Sequence, residues 1–328
     1  MELFTKIDIP QADFRIDYKS NLVFIGSCFA ENISRRFADR KFHVLANPLG
    51  VVYNPLSIEN QIAKIVGSPE FGDGCADNWS RWDYQGSYPS EELRQVIKNT
   101  RDSLAKADVV FITLGTAFVY FLKETGKAVA NCHKEPANLF ERRLIAVEEA
   151  AEAIRNICHW ILRSAQNDER VAQNDNGTTP KDVKIVFTVS PLRHLNDGAH
   201  GNNLSKATLH LAIEKVLQEF ADTAGANSSA VSYFPSYEIV MDELRDYRFY
   251  AEDMSHLTAT AEEYIFERMR DTYCNEKTIA DMKQVEKFMK TVNHRIVDTS
   301  SPKAAELTQL IAEKAEQLEK QILGLILR

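Results

Sequence analysis

The 328-residue chain has no stretch near the roughly 18 uninterrupted apolar residues that a membrane-spanning helix needs. Its opening, Met1-Glu2-Leu3-Phe4-Thr5-Lys6, lacks a basic stretch followed by a long apolar run, so no signal peptide is expected. Cysteine is scarce. Five stand at 28, 75, 132, 158 and 274, with no C-x-x-C pair. An odd, scattered set fits a reducing compartment better than a disulfide framework, and a cytoplasmic location is expected. Basic charge is in deficit, 39 Lys and Arg against 47 Asp and Glu for a net −8, which argues against a general affinity for nucleic acid. Gly72-Asp73-Gly74 is not followed by lysine or serine at P-loop spacing, so it is no phosphate cradle. His194 and His200 have no carboxylate-rich cluster or Cys/His quartet around them, so neither metal nor cofactor is expected.

What is present is an ordinary globular composition, 44% hydrophobic and 26% charged, able to bury a sizeable core. Leu22–Gly26, Asp108–Leu114 and Lys184–Val189 are short apolar runs ending in turn or polar residues, with Phe42–Leu45 and Val231–Phe234 as shorter examples. Runs rich in Val, Ile and Phe without polar alternation suit a parallel sheet covered on both faces. Between them lie helical patterns. Ala30, Ile33 and Phe37 fall three and four apart, as do Ala150, Ile154, Ile157 and Ile161 within Val147–Leu162. Strand and helix alternating in this way imply a doubly wound α/β domain.

Three stretches depart from that rhythm. Residues 164–180 are polar, carry Ala-Gln-Asn-Asp twice, and read as a mobile insertion. The tail 276–328 reads as two helices whose stripe, Leu307, Leu310, Ile311, Ala315, Leu318, Ile322 and Leu325, either caps the domain or pairs with a second copy. Tyr233–Tyr250, acidic and tyrosine-rich, lines a sugar-like cleft or packs over the sheet.

Chemistry centres on Ser27. It follows the first strand and precedes a helix, at the sheet edge where open parallel sheets bind ligands. A helix N-terminus there suits a developing oxyanion, and Gly26 allows a sharp turn. The competing reading is a serine that only caps the helix. A hydroxyl nucleophile needs a base, and Tyr250-Ala251-Glu252-Asp253-Met254-Ser255-His256 offers one. Asp253 can hold His256 Nδ1 and leave Nε2 facing the serine, although many Asp-x-x-His pairs are solvated turns. A helix is expected from about Thr260, with Thr260-x-x-Glu263 as a capping box. Cys28, beside Ser27, is expected to turn into the interior as a small hydrophobe.

Gly26-Ser27-Cys28-Phe29-Ala30 resembles the signature of the GSCFA-domain family, which is related to the SGNH (GDSL-like) esterases and lipases. Asn47–Pro55, Ile112–Ala117, Asn131–Lys134, Val189–His194 and Tyr250–Met254 resemble further blocks in matching order over roughly residues 1–270. The resemblance implies a flavodoxin-like three-layer α/β sandwich over 1–275, with the 276–328 helices as an extension. It also implies Ser27 as nucleophile, His256 as general base and Asp253 as its orienting partner. The superfamily's oxyanion hole maps onto the N–H groups of Ser27 and Gly50, with Gly115 matching the glycine that ends the central strand. The expected asparagine two residues later is Ala117, and Thr116, Asn131 or His133 would have to substitute. Leu257 stands where proline commonly follows the histidine.

Asn54, Asn131, His133, Arg193 and His194 are the expected substrate-binding residues, with Arg193 either gripping a carboxylate or phosphate or pairing with an acidic neighbour. The reading is a serine esterase acting on O-acyl esters of a carbohydrate or similar small polar molecule. An acyltransferase on the same site and a binding module that has lost turnover are the alternatives. The partners expected are that substrate and a second copy through the C-terminal helices, with no nucleic acid and no membrane.

Overall fold

Leu22 to Ile25 are apolar at every position, and a strand of that kind must be covered on both faces. In the computed structural model, which describes residues 5–67, 79–86, 88–166, 182–224, 230–293 and 302–327, it is covered. Strand β1 (Asn21–Gly26) lies inside a parallel sheet with β2 (His43–Ala46) and β3 (Val109–Leu114) on either side. Small antiparallel strands β4 (Phe118–Leu122), β5 (Ala128–Val129) and β6 (Phe140–Leu144) follow. The main sheet resumes with β7 (Lys184–Val189) and β8 (Val231–Tyr233), giving the order β2-β1-β3-β7-β8. Counting the parallel strands alone, that is the flavodoxin-like order 2-1-3-4-5, with its switch point between β1 and β3.

Helices cover both faces. On one side, α1 (Cys28–Asp39) buries Phe29, Ile33 and Phe37 against Leu22, Phe24 and Phe111. On the other, α2 (Pro55–Val66), α3 (Ser90–Lys106), α4 (Val147–Gln166) and α5 (Gly198–Ala224) enclose Val23, Ile25, Val110, Ile112, Ile185 and Phe187. Helices α6 (Ala259–Tyr273), α7 (Glu276–Val292) and α8 (Pro302–Gln321) join the α1 side. Phe37 is fully buried, its ring centroid 4.9 Å from Phe266 and 5.7 Å from Phe24.

Several expectations are corrected. The capping residue of α6 is Thr258, whose side chain accepts from Ala261 N–H, rather than Thr260. Gly198 and Gly201 lie in the first turns of α5, a helix that the apolar patterns above did not indicate. Helix α4 runs through Ser164 and Ala165, both buried. From residue 167 on, the expected insertion lies outside the described residues, as do Gly72-Asp73-Gly74 and Cys75. The C-terminal stripe packs on its own chain through Ala315, Leu318, Ile322 and Leu325, while Leu310 is exposed. Tyr233–Tyr250 also packs inward, Ile239, Val240 and Leu244 entering the core. Among the described residues no helix is long and apolar enough to cross a membrane.

Candidate active site

The turn after β1 dictates where Ser27 sits. Gly26 has φ +143°, and a Cβ there would lie 2.2 Å from the Thr113 carbonyl oxygen, so only glycine fits beside β3. Its N–H is held by Asn47 Oδ1 at 2.8 Å. Ser27 then takes the N-cap position of α1, but its side chain caps nothing. Its Oγ is buried with no hydrogen-bond partner. A capping serine would accept a backbone N–H of the first turn there, so the competing reading of Ser27 as a simple cap fails. The N–H groups of Cys28 and Phe29 open the helix without a backbone acceptor among the described residues.

The second component comes from residues 251–258, closed into a tight turn by the Tyr250–Leu257 bridge and by Ala251 N–H on the His256 carbonyl at 2.8 Å. Leucine at 257 stands opposite Tyr250 in this bridge, whose hydrogen bonds come from the flanking N–H groups of Ala251 and, at 3.0 Å to the Phe249 carbonyl, Thr258. Asp253 Oδ1 accepts the backbone N–H groups of Ser255 and His256, both at 2.9 Å, and Oδ2 holds His256 Nδ1 at 2.5 Å. The backbone bond from His256 is the chief reason the Asp253 carboxyl is pulled down to about 2, helped by the imidazole and by Ser255 N–H. Nδ1 being taken, Nε2 is the free nitrogen. Both side chains are about half exposed.

Ser27, Asp253 and His256 line one cleft of about 690 Å³. It also takes in Asn54, Thr116, Asn131, Arg193 and His194, and the antiparallel sheet overhangs it with Phe118, Tyr120 and Arg142. No hydrogen bond joins Ser27 Oγ to the imidazole in this state. Cys28 is half-buried at the cleft wall, its Sγ 3.5 Å from Tyr53 Oη, rather than turned wholly inward.

The expected oxyanion donors are otherwise engaged. The N–H of Gly50 donates to Asn47 O (2.8 Å), and those of Gly115 and Thr116 to Tyr53 O (2.7 and 3.1 Å). Ser27 N–H donates to Thr113 O (3.2 Å). Thr116 Oγ1 sits 3.0 Å from Ser205 Oγ and accepts Phe118 N–H. Gly50, Gly115 and His133 do not line the cleft. His133 Nε2 instead meets the Arg81 carbonyl at 2.6 Å. Asn54 is the N-cap of α2, its amide spent on Ser57. Of the proposed substitutes only Asn131 keeps a free amide NH₂ in the cleft, its Oδ1 accepting His133 N–H.

Two charged residues beneath the cleft had no reading from sequence. Lys206 is buried and donates to the carbonyls of Gly115 (2.6 Å) and Ser190 (2.7 Å), the residues that follow β3 and β7. Burial lowers its amine to about 7. Its signal was the α5 periodicity, Lys206 sharing spacing three, four and three with buried Leu209, Ile213 and Val216. Asp197, its carboxylate wholly enclosed, lies 2.5 Å from the Arg142 guanidinium as an ion pair without hydrogen-bond alignment. His194 is pushed down to about 4, first by burial and then by Lys206, and is neutral at pH 7.

Fold and cleft together define a doubly wound α/β protein with a serine at its first strand–helix junction and an Asp–His pair late in the chain. The GSCFA family model matches residues 21–269, and the chain belongs to the GSCFA family. A comparison with curated proteins finds no match.

Proposed function

We propose that the protein is a serine esterase of SGNH type, acting on O-acyl esters of a carbohydrate or similar small polar molecule. One observation carries this: a buried, partnerless serine hydroxyl at a helix head shares a cleft with an imidazole whose Nδ1 is fixed by a carboxylate. His256 Nε2 takes the Ser27 proton as Oγ bonds to the ester carbonyl carbon. The carbonyl oxygen becomes an oxyanion beside the free N–H groups at the head of α1 and the Asn131 amide. Collapse expels the alcohol, protonated by His256, and leaves an acyl-Ser27. Water then gives a proton to His256 as its oxygen bonds to the acyl carbon. The C–Oγ bond breaks with that proton passing from His256 to Ser27 Oγ, releasing the acid and restoring the free site. The Ser27–His256 contact closes when substrate binds, as loose apo geometry commonly does. The free cysteines 28, 132, 158 and 274 fit the cytoplasm as its location.

The four engaged N–H groups favour a second reading, a binding module with little turnover. A fluorophosphonate probe with peptide mass mapping separates the two. The esterase reading expects covalent label on Ser27, absent from Ser27→Ala and slowed in His256→Ala. Equal lack of label in wild type and Ser27→Ala leaves the binding module. Product analysis with and without an acceptor alcohol then distinguishes hydrolysis from acyl transfer.

A further inference from the structure

The charged groups lining the cleft are neutralised in pairs, with one exception. Arg142 faces Asp197, and Asp253 is held by His256 and two backbone N–H groups. Arg193 has no carboxylate within ion-pair distance among the described residues, and its guanidinium meets only rings. It lies 4.2 Å from the Tyr250 centroid and 5.4 Å from Tyr247. Stacking on tyrosine holds a guanidinium plane in place while leaving its N–H fork free to bind. The backbone of Arg193 is tied to the catalytic turn, its N–H donating to the Ser255 carbonyl at 3.3 Å. Arg193 also lines an adjoining cavity of about 290 Å³, with Asn202, Tyr237 and Met241. A substrate that reaches Ser27 therefore finds one uncommitted cation at the junction of two cavities.

We propose that Arg193 is an anion-recognition residue and that the ester substrate carries a carboxylate, bound bidentately by this guanidinium. The inference rests on the esterase reading for its reaction but not for its binding. A monoanion fits better than a phosphate dianion. The second arginine is already taken by Asp197, and Asp253 places a negative charge in the same cleft. The carboxylate sits on the acyl half or on the alcohol half of the ester, and the two are separable.

The test pairs charged substrates with neutral counterparts of the same shape. On the acyl side these are the p-nitrophenyl monoester of glutaric acid and its terminal amide. On the alcohol side they are O-acetyl glucuronic acid and O-acetyl glucose. The anionic member of one pair should be preferred at least about 10-fold in kcat/KM. Arg193→Gln should raise its KM about 10- to 100-fold, the worth of a charge-assisted bond, and shift that of the neutral member far less. Arg193→Lys, which keeps charge but loses the fork, should retain part of the preference. No charge preference in either pair, or an equal loss for both members in Arg193→Gln, overturns the proposal. Calorimetry separates this from the chemistry. Ser27→Ala protein should bind glutarate or glucuronate saturably, and Ser27→Ala/Arg193→Gln should not. That result supports the anion site even if no ester is cleaved. Fluorophosphonate label on Ser27 with neither anion bound overturns the anion site alone.

Discussion

Replacing Lys206 by methionine gives a stability change whose pH dependence follows directly from its place in the fold. The ammonium is wholly enclosed and bridges the carbonyls of Gly115 and Ser190. Burial moves its amine from 10.5 to about 7, a bias of about 5 kcal/mol against the charged form. A cation with a depressed folded pKa is a stability cost, present in full below pH 7 and relieved as pH rises from about 7 toward 10.5. In that window the unfolded chain binds the extra proton, so wild-type stability gains about 2 kcal/mol between pH 7 and 9 from this group. Methionine removes the cost but leaves two buried carbonyls unpaired, at roughly 1–3 kcal/mol each. At pH 7 the two effects offset to within a few kcal/mol. The slope does not cancel. Urea denaturation at pH 7, 8 and 9 and constant ionic strength should show Lys206→Met losing about 2 kcal/mol relative to wild type across the series. Taking the difference between the proteins cancels the buried Cys158 and Cys274 thiols, which burial raises and which work in the opposite direction. Parallel curves would refute the reasoning, since they would mean that Lys206 binds its proton equally in both states.

Asp253→Asn should lower kcat by about 10²–10⁴ with little change in KM, through loss of the Nδ1 partner, measured by steady-state kinetics. With the wild-type carboxyl drawn from 3.8 down to about 2, the stability it adds is present above pH 4 and fades as pH falls toward 2, so the kcat–pH profile should show no Asp253 inflection above pH 4. Phe37→Ala should destabilise by about 3–5 kcal/mol in urea, because its ring fills the space between Phe24, Phe42 and Phe266. Asn54→Ala should cost about 1 kcal/mol by thermal unfolding as a lost helix cap while leaving KM unchanged, in contrast with the substrate-binding role its sequence block implied.

The parallel sheet was legible because its strands are buried on both sides and so apolar at every position. Lys184–Val189 forms β7 with the bounds that its sequence pattern indicated. The antiparallel sheet was not legible. Its strand β6, Phe-Glu-Arg-Arg-Leu, carries charge at its centre because it overhangs the cleft instead of entering the core. Helix α5 was missed for a related reason. It opens with glycines and polar residues, Gly198-Ala199-His200-Gly201-Asn202-Asn203, and a buried lysine interrupts its apolar face. The Asp253–His256 pair was readable because both partners lie within one short turn, where spacing alone limits the geometry.

Oxyanion donors are a harder quantity to read, and the four expected ones, whose N–H groups are all engaged by backbone carbonyls, share a cause. Ser27, Gly50, Gly115 and Thr116 all stand in turns at the C-terminal ends of strands or just beyond, and such a turn closes by donating its N–H groups to nearby carbonyls. Residue type marks the turn; it does not say whether the N–H is left over. What escapes that closure is the head of a helix, where the first N–H groups have no acceptor by construction. Cys28 and Phe29 occupy that position in α1 because Gly26 lets β1 pass close to Thr113 and turn directly into the helix. The same glycine that sets the Ser27 hydroxyl at the cleft thus places these N–H groups beside it, so in the proposed esterase nucleophile and electrophilic support would arise from one tight strand-to-helix junction.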